Sequence, residues 1–329
     1  MPPRLRAPLL ALGAVSLVFA LAGGLARLTP WLPAPGTAIG WHGALMVSAF
    51  LGSVVSLERA AALGRPWGYL APLCAGAGGI ALLAGAARAG LALAVAAAAL
   101  FAACSAALMR RQRSLETGTL LAGALAWLIG NAALAQGAPP HGWWVAFFVL
   151  TIGAERLELS RYLKRSAFSR RAFVALAAGV LLAPLEPALR AQGALLALFA
   201  AWLLRYDLAR VTVRGRGLPR FVAVCLLAGY FWLAVAGALL LLHGPRDAAL
   251  HALFVGFVFS MIFGHAPVIL PAVLGVRVPY GPALYAPLAL LHASLAVRVA
   301  YSAPLGAWGN AAAIVLFLGS AALLALRRT

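Results

Sequence analysis

Apolar residues run along this chain in long blocks with polar breaks between them, and few blocks show the spacing that would leave one face wet. Strict alternation would give half-buried strands and a single stripe at period 3.6 a surface helix; continuous runs predict helices that are apolar all round. A hydrocarbon layer about 30 Å thick needs about 20 helical residues to cross it. Runs of that length predict spans near residues 5–28, 41–62, 68–87, 90–109, 117–136, 143–162, 171–189, 192–209, 219–242, 249–272, 280–299 and 303–326. The breaks are short and rich in Gly, Pro and Arg, and the most polar ones, near 161–171 and 205–220, are loops of about a dozen residues. No linker divides the chain, which predicts one all-α membrane domain over 1–329, a polytopic transmembrane bundle of about 12 spans.

Composition changes this picture only by excluding its rival. A chain that is 64% hydrophobic and 10% charged lacks the polar surface to clothe a soluble globule. The net charge of +19 would fit a nucleic-acid binder until the basic residues are placed. With the N-terminus inside, 21 of the 26 Lys and Arg fall on inner loops and tails, leaving Arg27, Arg88, Arg190, Arg246 and Arg298 outside. That asymmetry is the positive-inside pattern. It predicts both termini in the cytoplasm of a bacterial-type cytoplasmic (inner) membrane, with the charge serving topology and anionic lipid rather than nucleic acid. The first span follows Arg4 and Arg6 and outruns the roughly 7 to 15 apolar residues of a signal peptide, so it is expected to be retained. Cys74, Cys104 and Cys225 sit in different spans with no CxxC, as small buried hydrophobes would. Runs such as Ala75-Gly76-Ala77-Gly78-Gly79 allow close helix packing, and no repeat is evident.

Chemistry is sought among polar residues inside spans, because each costs about 2.5 kcal/mol or more at the bilayer centre. His42 opens the second span and His251 the tenth, both near the outer face; His265 and His292 lie within spans ten and eleven, while His141 and His243 belong to outer loops. On an α-helix, His251 and His265 fall about 40° apart around the axis and about 21 Å apart along it, too far for one metal. Two sites are therefore expected, an outer one from His42 and His251 and a deeper one involving His265 and His292. Neutral imidazole suits haem iron as an axial ligand, and copper as well. Tyr285 shares a face with His292 and is a candidate partner behind it. Against ligation, a histidine at the interface can be a headgroup-level amphipath, and His265 can bond a carbonyl left unpaired by Pro267 or Pro271.

A second constellation, Glu155-Arg156-Leu157-Glu158-Leu159-Ser160-Arg161, carries charge into the inner third of span six. Glu155 can carry protons from the cytoplasm, with Arg156 and Glu158 beside it; the plainer reading is an ion-pair lock with Arg156 or with Glu58 and Arg59, and a Glu158 pair with Arg161. Asn131, Tyr230 and Ser260 are polar groups that could line a cavity.

Twelve spans, Trp41-His42 at the outer end of span two and a histidine-bearing span ten resemble the NnrS family and, more remotely, the catalytic subunit of haem-copper oxidases. The resemblance implies haem or copper on membrane-helix histidines, a role in respiration or the nitric oxide response, and a redox partner or small gaseous ligand. Span six has no copper-ligand histidine and span seven no histidine pair, so a three-histidine copper centre is not expected. The expectation is thus a haem-binding, and secondarily copper-binding, membrane protein using His42, His251, His265 and His292. The rival is a small-solute or proton transporter with a pathway near Glu155, Arg156 and His265.

Overall fold

Helix ends fall where the sequence supplies partners for the terminal backbone groups. Ser114 caps one helix by accepting from Thr117 N, and the Thr117 hydroxyl returns to the Ser114 amide in a reciprocal box. Ser166 caps another through Ser169 N. Gly64 ends a third at φ +67°, where an L side chain would be strained.

The computed structural model describes residues 6–160, 166–185, 190–275 and 279–326. Helices are the only regular structure among them. In chain order these are α1 (Ala7–Ala26), α2 (His42–Leu63), α3 (Leu70–Leu83), α4 (Ala87–Arg111), α5 (Leu115–Ala135), α6 (His141–Leu159), α7 (Ala167–Leu182), α8 (Arg190–Tyr206) and α9 (Gly217–Leu241). Then α10 opens as Arg246–His251, continues as a π-helix over Ala252–Phe259 and closes as Ser260–Leu274, followed by α11 (Tyr285–Ala300) and α12 (Ala303–Leu326). Within α2 the stretch Leu45–Leu51 is also π-helical.

Counted with the 3-10 turns that lead into α3 from Pro66 and into α11 from Pro282 and that carry α7 on to Leu185, ten of the described helices are long and apolar enough to cross a membrane. The other two predicted spans are helices as well. Of these, α6 carries Glu155, Arg156 and Glu158 in its last turn and a half, and α8 has 17 residues between Arg190 and Tyr206.

The chain forms two compact units, residues 1–147 with 273–275, and residues 148–272 with 276–329. In the first, α1 packs on α3 and the π segment of α2, while α3, α4 and α5 pack in succession. Its core is aromatic. Trp127 stacks on Phe147 at 5.2 Å between ring centroids, and Phe101 meets both edge-on. Asn131 is fully buried: Ser48 Oγ and Trp144 Nε1 donate to its Oδ1 at 2.7 and 3.0 Å, and its Nδ2 donates to Ala94 O at 2.9 Å. It is therefore a knot among α2, α4, α5 and α6 instead of a cavity wall, with its polar atoms satisfied as burial requires.

In the second unit α8 lies against α7 and α9, the π segment of α10 against α9, and α11 against α12. Lipid tails are as apolar as leucine, so burying leucine between helices gains little there and close contact matters more. Gly193 and Gly237 provide it: a Cβ on Gly193 would lie 2.7 Å from Gly237 O, and one on Gly237 would lie 2.6 Å from Ala197 N. Backbone meets backbone at that crossing, and no side chain fits between. Asn310 ties α12 to α11 through Leu291 O and Ser294 Oγ at 3.2 and 2.7 Å.

Candidate functional site

An imidazole can bind a metal only through a ring nitrogen that keeps its lone pair, so the partner of the other nitrogen decides whether a histidine is eligible. His42 Nδ1 lies 2.7 Å from Ala20 O on α1. A carbonyl only accepts, so Nδ1 carries the hydrogen and Nε2 the lone pair. The ring rests against Gly24, where a Cβ would sit 2.6 Å from His42 Cε1. Any side chain at Gly24 would push the imidazole away.

His251 repeats the arrangement within its own unit. Its Nδ1 lies 2.8 Å from Asp247 O and 3.3 Å from Asp247 Oδ1, both acceptors, so here too the lone pair is on Nε2. From α11, Arg298 NH2 donates to Asp247 Oδ2 at 3.2 Å. The π-helix of α10 starts at the residue after His251, and that of α2 starts three residues after His42. π-helical turns are uncommon and gather at functional positions. His42 and His251 each precede one.

His265 and His292 behave differently. His265 Nδ1 bonds Met261 O at 2.8 Å, one turn back along its own helix, and not the carbonyl of Phe263 or Pro267 that a proline leaves unpaired. Trp232 Nε1 donates to His292 Nδ1 at 3.0 Å, which forces the hydrogen onto Nε2; that nitrogen faces Ser260 Oγ at 3.4 Å, and the Ser260 hydroxyl donates to Cys225 O at 2.7 Å. Both nitrogens of His292 are thereby engaged in a chain of side chains. The partners behind His292 are Trp232 and Ser260, while Tyr285 packs edge-on against Phe221 at 5.1 Å. The angle expected between His251 and His265 also changes, because the intervening π-helix winds more slowly than an α-helix. His141 opens α6 beside Trp144 instead of lying in a loop, and His243 is an exposed loop residue at φ +55°.

The charged run of α6 finds a partner that sequence proximity does not reveal. Arg156 makes a two-pronged pair with Asp207, Nε to Oδ2 at 2.9 Å and NH2 to Oδ1 at 3.3 Å, with side-chain exposures of 5% and 1%. Asp207 also accepts from Ala209 N at 2.6 Å and Ser160 Oγ at 3.4 Å, and Ser160 Oγ accepts from Leu208 N. The fully buried Tyr230 turns its hydroxyl toward the pair without completing a hydrogen bond, and His265 lies within electrostatic reach of both charges. The carboxylate that holds Arg156 at two points is thus Asp207, while Glu155 next to it in sequence also acts on it electrostatically. Arg161, the expected partner of Glu158, lies outside the described residues.

No three His, Cys, Asp or Glu side chains converge as a metal site among the described residues. A centre built wholly from such side chains, copper included, finds no such cluster there. Haem asks for less, since its macrocycle supplies four nitrogens and the protein one or two axial ligands. His42 and His251, each within its own unit, have the tautomer that such a ligand needs, with Nδ1–H given to a carbonyl. Sequence reasoning missed Asp207, Asp247, Arg298, Trp232 and Gly24. The signal for two of them was present: Asp247 and Asp207 are among only 7 acidic residues, and Asp247 precedes His251 by one helical turn.

A family model described as a domain of unknown function (DUF8744) matches residues 6–327. No curated protein and no solved structure matches the chain.

Proposed function

We propose that this chain, which belongs to the DUF8744 family, is a haem-binding multi-pass protein of the bacterial inner membrane, with twelve spans and both termini in the cytoplasm. Within its own unit, each of His42 and His251 would offer Nε2 as a ligand to iron. The observation that carries this reading is the shared arrangement of these two residues: each sits toward the N-terminal end of a helix that passes into π-helix, with Nδ1–H given to a backbone carbonyl. Metal-ligating histidines characteristically give their second nitrogen away in this manner, which fixes the ring and its tautomer.

His265 is a further eligible ligand on the same tautomer argument; His292 serves structure, since both of its nitrogens are taken. Bound haem would supply one-electron chemistry and an iron able to take a small gaseous ligand. That fits the respiratory or nitric oxide role implied by the NnrS-like Trp41-His42 and the histidine of span ten. Copper is a secondary proposal, supported only by the ligand type.

The alternative, a pathway for protons or a small solute through Glu155 and His265, has less support. It needs Arg156 to exchange partners, and Arg156 is held at two points by a buried carboxylate that itself accepts two more hydrogen bonds. Such pairs are costly to break, about 3–5 kcal/mol when one partner is removed.

The two readings separate in one experiment. His42→Ala and His251→Ala proteins, purified in detergent after expression with added haem precursor, are expected to lose at least half of the haem per polypeptide or to change its ligand-field spectrum. Full haem content with an unaltered spectrum in both variants would remove these residues as ligands and turn attention to Glu155.

A further inference from the structure

His251 differs from His42 in having a carboxylate as well as a carbonyl behind Nδ1, and that carboxylate is itself held. Asp247 Oδ1 lies 3.3 Å from Nδ1, and Oδ2 takes Arg298 NH2 at 3.2 Å. Arg298 comes from α11, and its side chain is 8% exposed, against 66% for Asp247. Its stem is clamped by α12, where a Cβ on Gly306 would lie 2.4 Å from Arg298 Cα and Cβ. Its Nε–H finds no acceptor among the described residues, so the Asp247 carboxylate is what holds this charge at the site. A surface ion pair is worth little, but one whose arginine is packed between two helices has lost the freedom that makes surface pairs weak.

Arg298 NH2 also lies 3.4 Å from His251 Nδ1, so two tautomers compete. In one, Nδ1–H donates to the Asp247 carbonyl at 2.8 Å with the carboxylate close by; in the other, Nδ1 accepts from arginine at 3.4 Å while its lone pair faces a carbonyl oxygen. Distance and lone-pair repulsion favour the first. The arginine therefore acts on the carboxylate and not directly on the ring.

We propose that Asp247, anchored by Arg298, is a positioning residue that strengthens the Nδ1–H bond of His251 and so sets how strongly Nε2 donates electrons. The inference rests on the reading of His251 as an iron ligand and adds a means of adjusting its redox potential. A carboxylate that draws on Nδ1–H gives the ring imidazolate character, which favours ferric over ferrous iron and lowers the midpoint potential. Arg298 works against this by taking part of the carboxylate's charge. The two residues thus push the potential in opposite directions, which loss of packing would not do.

The test is redox titration of the haem-loaded full chain with Asp247→Asn and Arg298→Met. Asp247→Asn is expected to raise the midpoint potential and Arg298→Met to lower it, each read on the haem that the variant binds. Shifts of the same sign, or none, overturn the proposal. A second measurement does not depend on haem: the Nδ1–H proton resonance of His251 in ¹⁵N-histidine-labelled protein, assigned by its loss in His251→Ala. It is expected downfield in the wild-type chain and displaced upfield in Asp247→Asn. If the wild-type chain binds no haem, the ligand reading fails at that step, and this resonance decides the positioning by itself: displacement supports it and an unmoved line overturns it. Should Arg298→Met not fold, Asp247→Asn with the resonance carries the test.

Discussion

Four histidines with the same side chain separate into three kinds once the partner of each ring nitrogen is known. His42 and His251 give Nδ1–H to carbonyls at the heads of π-helical stretches, His265 does so in mid-helix, and His292 uses both nitrogens. Two predictions belong at this scale. His292→Ala is expected to leave the haem spectrum unchanged, whereas Gly24→Val, by displacing the His42 ring, reproduces the spectrum of His42→Ala; a visible spectrum of each purified variant is the check. Asp207→Ala is expected to lower stability by about 3–5 kcal/mol, because it leaves Arg156 buried without its carboxylate. Thermal unfolding in detergent measures this, and the Arg156→Met/Asp207→Leu double variant should melt well above Asp207→Ala. The identities of the candidate histidines were legible in the sequence, since any polar residue in a span stands out. Their tautomers were not, because Ala20 lies 22 positions from His42 and Trp232 lies 60 from His292. Asp207 was missed for the same reason, being 51 residues from Arg156.

At the scale of the element, His42 and His251 are each followed by helix that winds with i→i+5 bonds. Such a stretch accommodates one residue more than the α-helix around it, and removing that residue returns the helix to α and rotates everything beyond. Deletion of Val47, or of Val255, is therefore expected to lower haem content while leaving the helical circular dichroism within a few per cent of wild type; retained haem in both would show that the π turns are incidental to the ligands. The spans themselves were legible because length and hydropathy are local properties. A π turn is not local: Ser48, inside the first, is held by Asn131 of α5, and Gly256, inside the second, makes room for Trp232 of α9, where a Cβ would lie 2.4 Å from the Trp232 side chain. Runs of apolar residues carry no mark of that.

At the scale of the whole molecule, an excess of apolar runs and a charge asymmetry are the marks of a membrane protein in the sequence, and ten described helices meet the length and hydropathy of a membrane span. Twelve spans follow if α6 and α8 also cross, the arrangement proposed above from the alternation of basic loops. With both ends inside, green fluorescent protein fused after Thr329 is expected to fluoresce and alkaline phosphatase at the same place to be inactive, with the reverse at the loop near His243. An active phosphatase at the C-terminus would mean an odd number of spans. The measurement that bears most directly on the central claim is a dithionite-reduced minus oxidised absorption spectrum of the purified wild-type chain, with haem and protein determined on the same sample. A Soret shift with a reduced α-band, at one or more haem per chain, is the predicted result. A colourless preparation from haem-replete cells, folded by circular dichroism, would contradict the account.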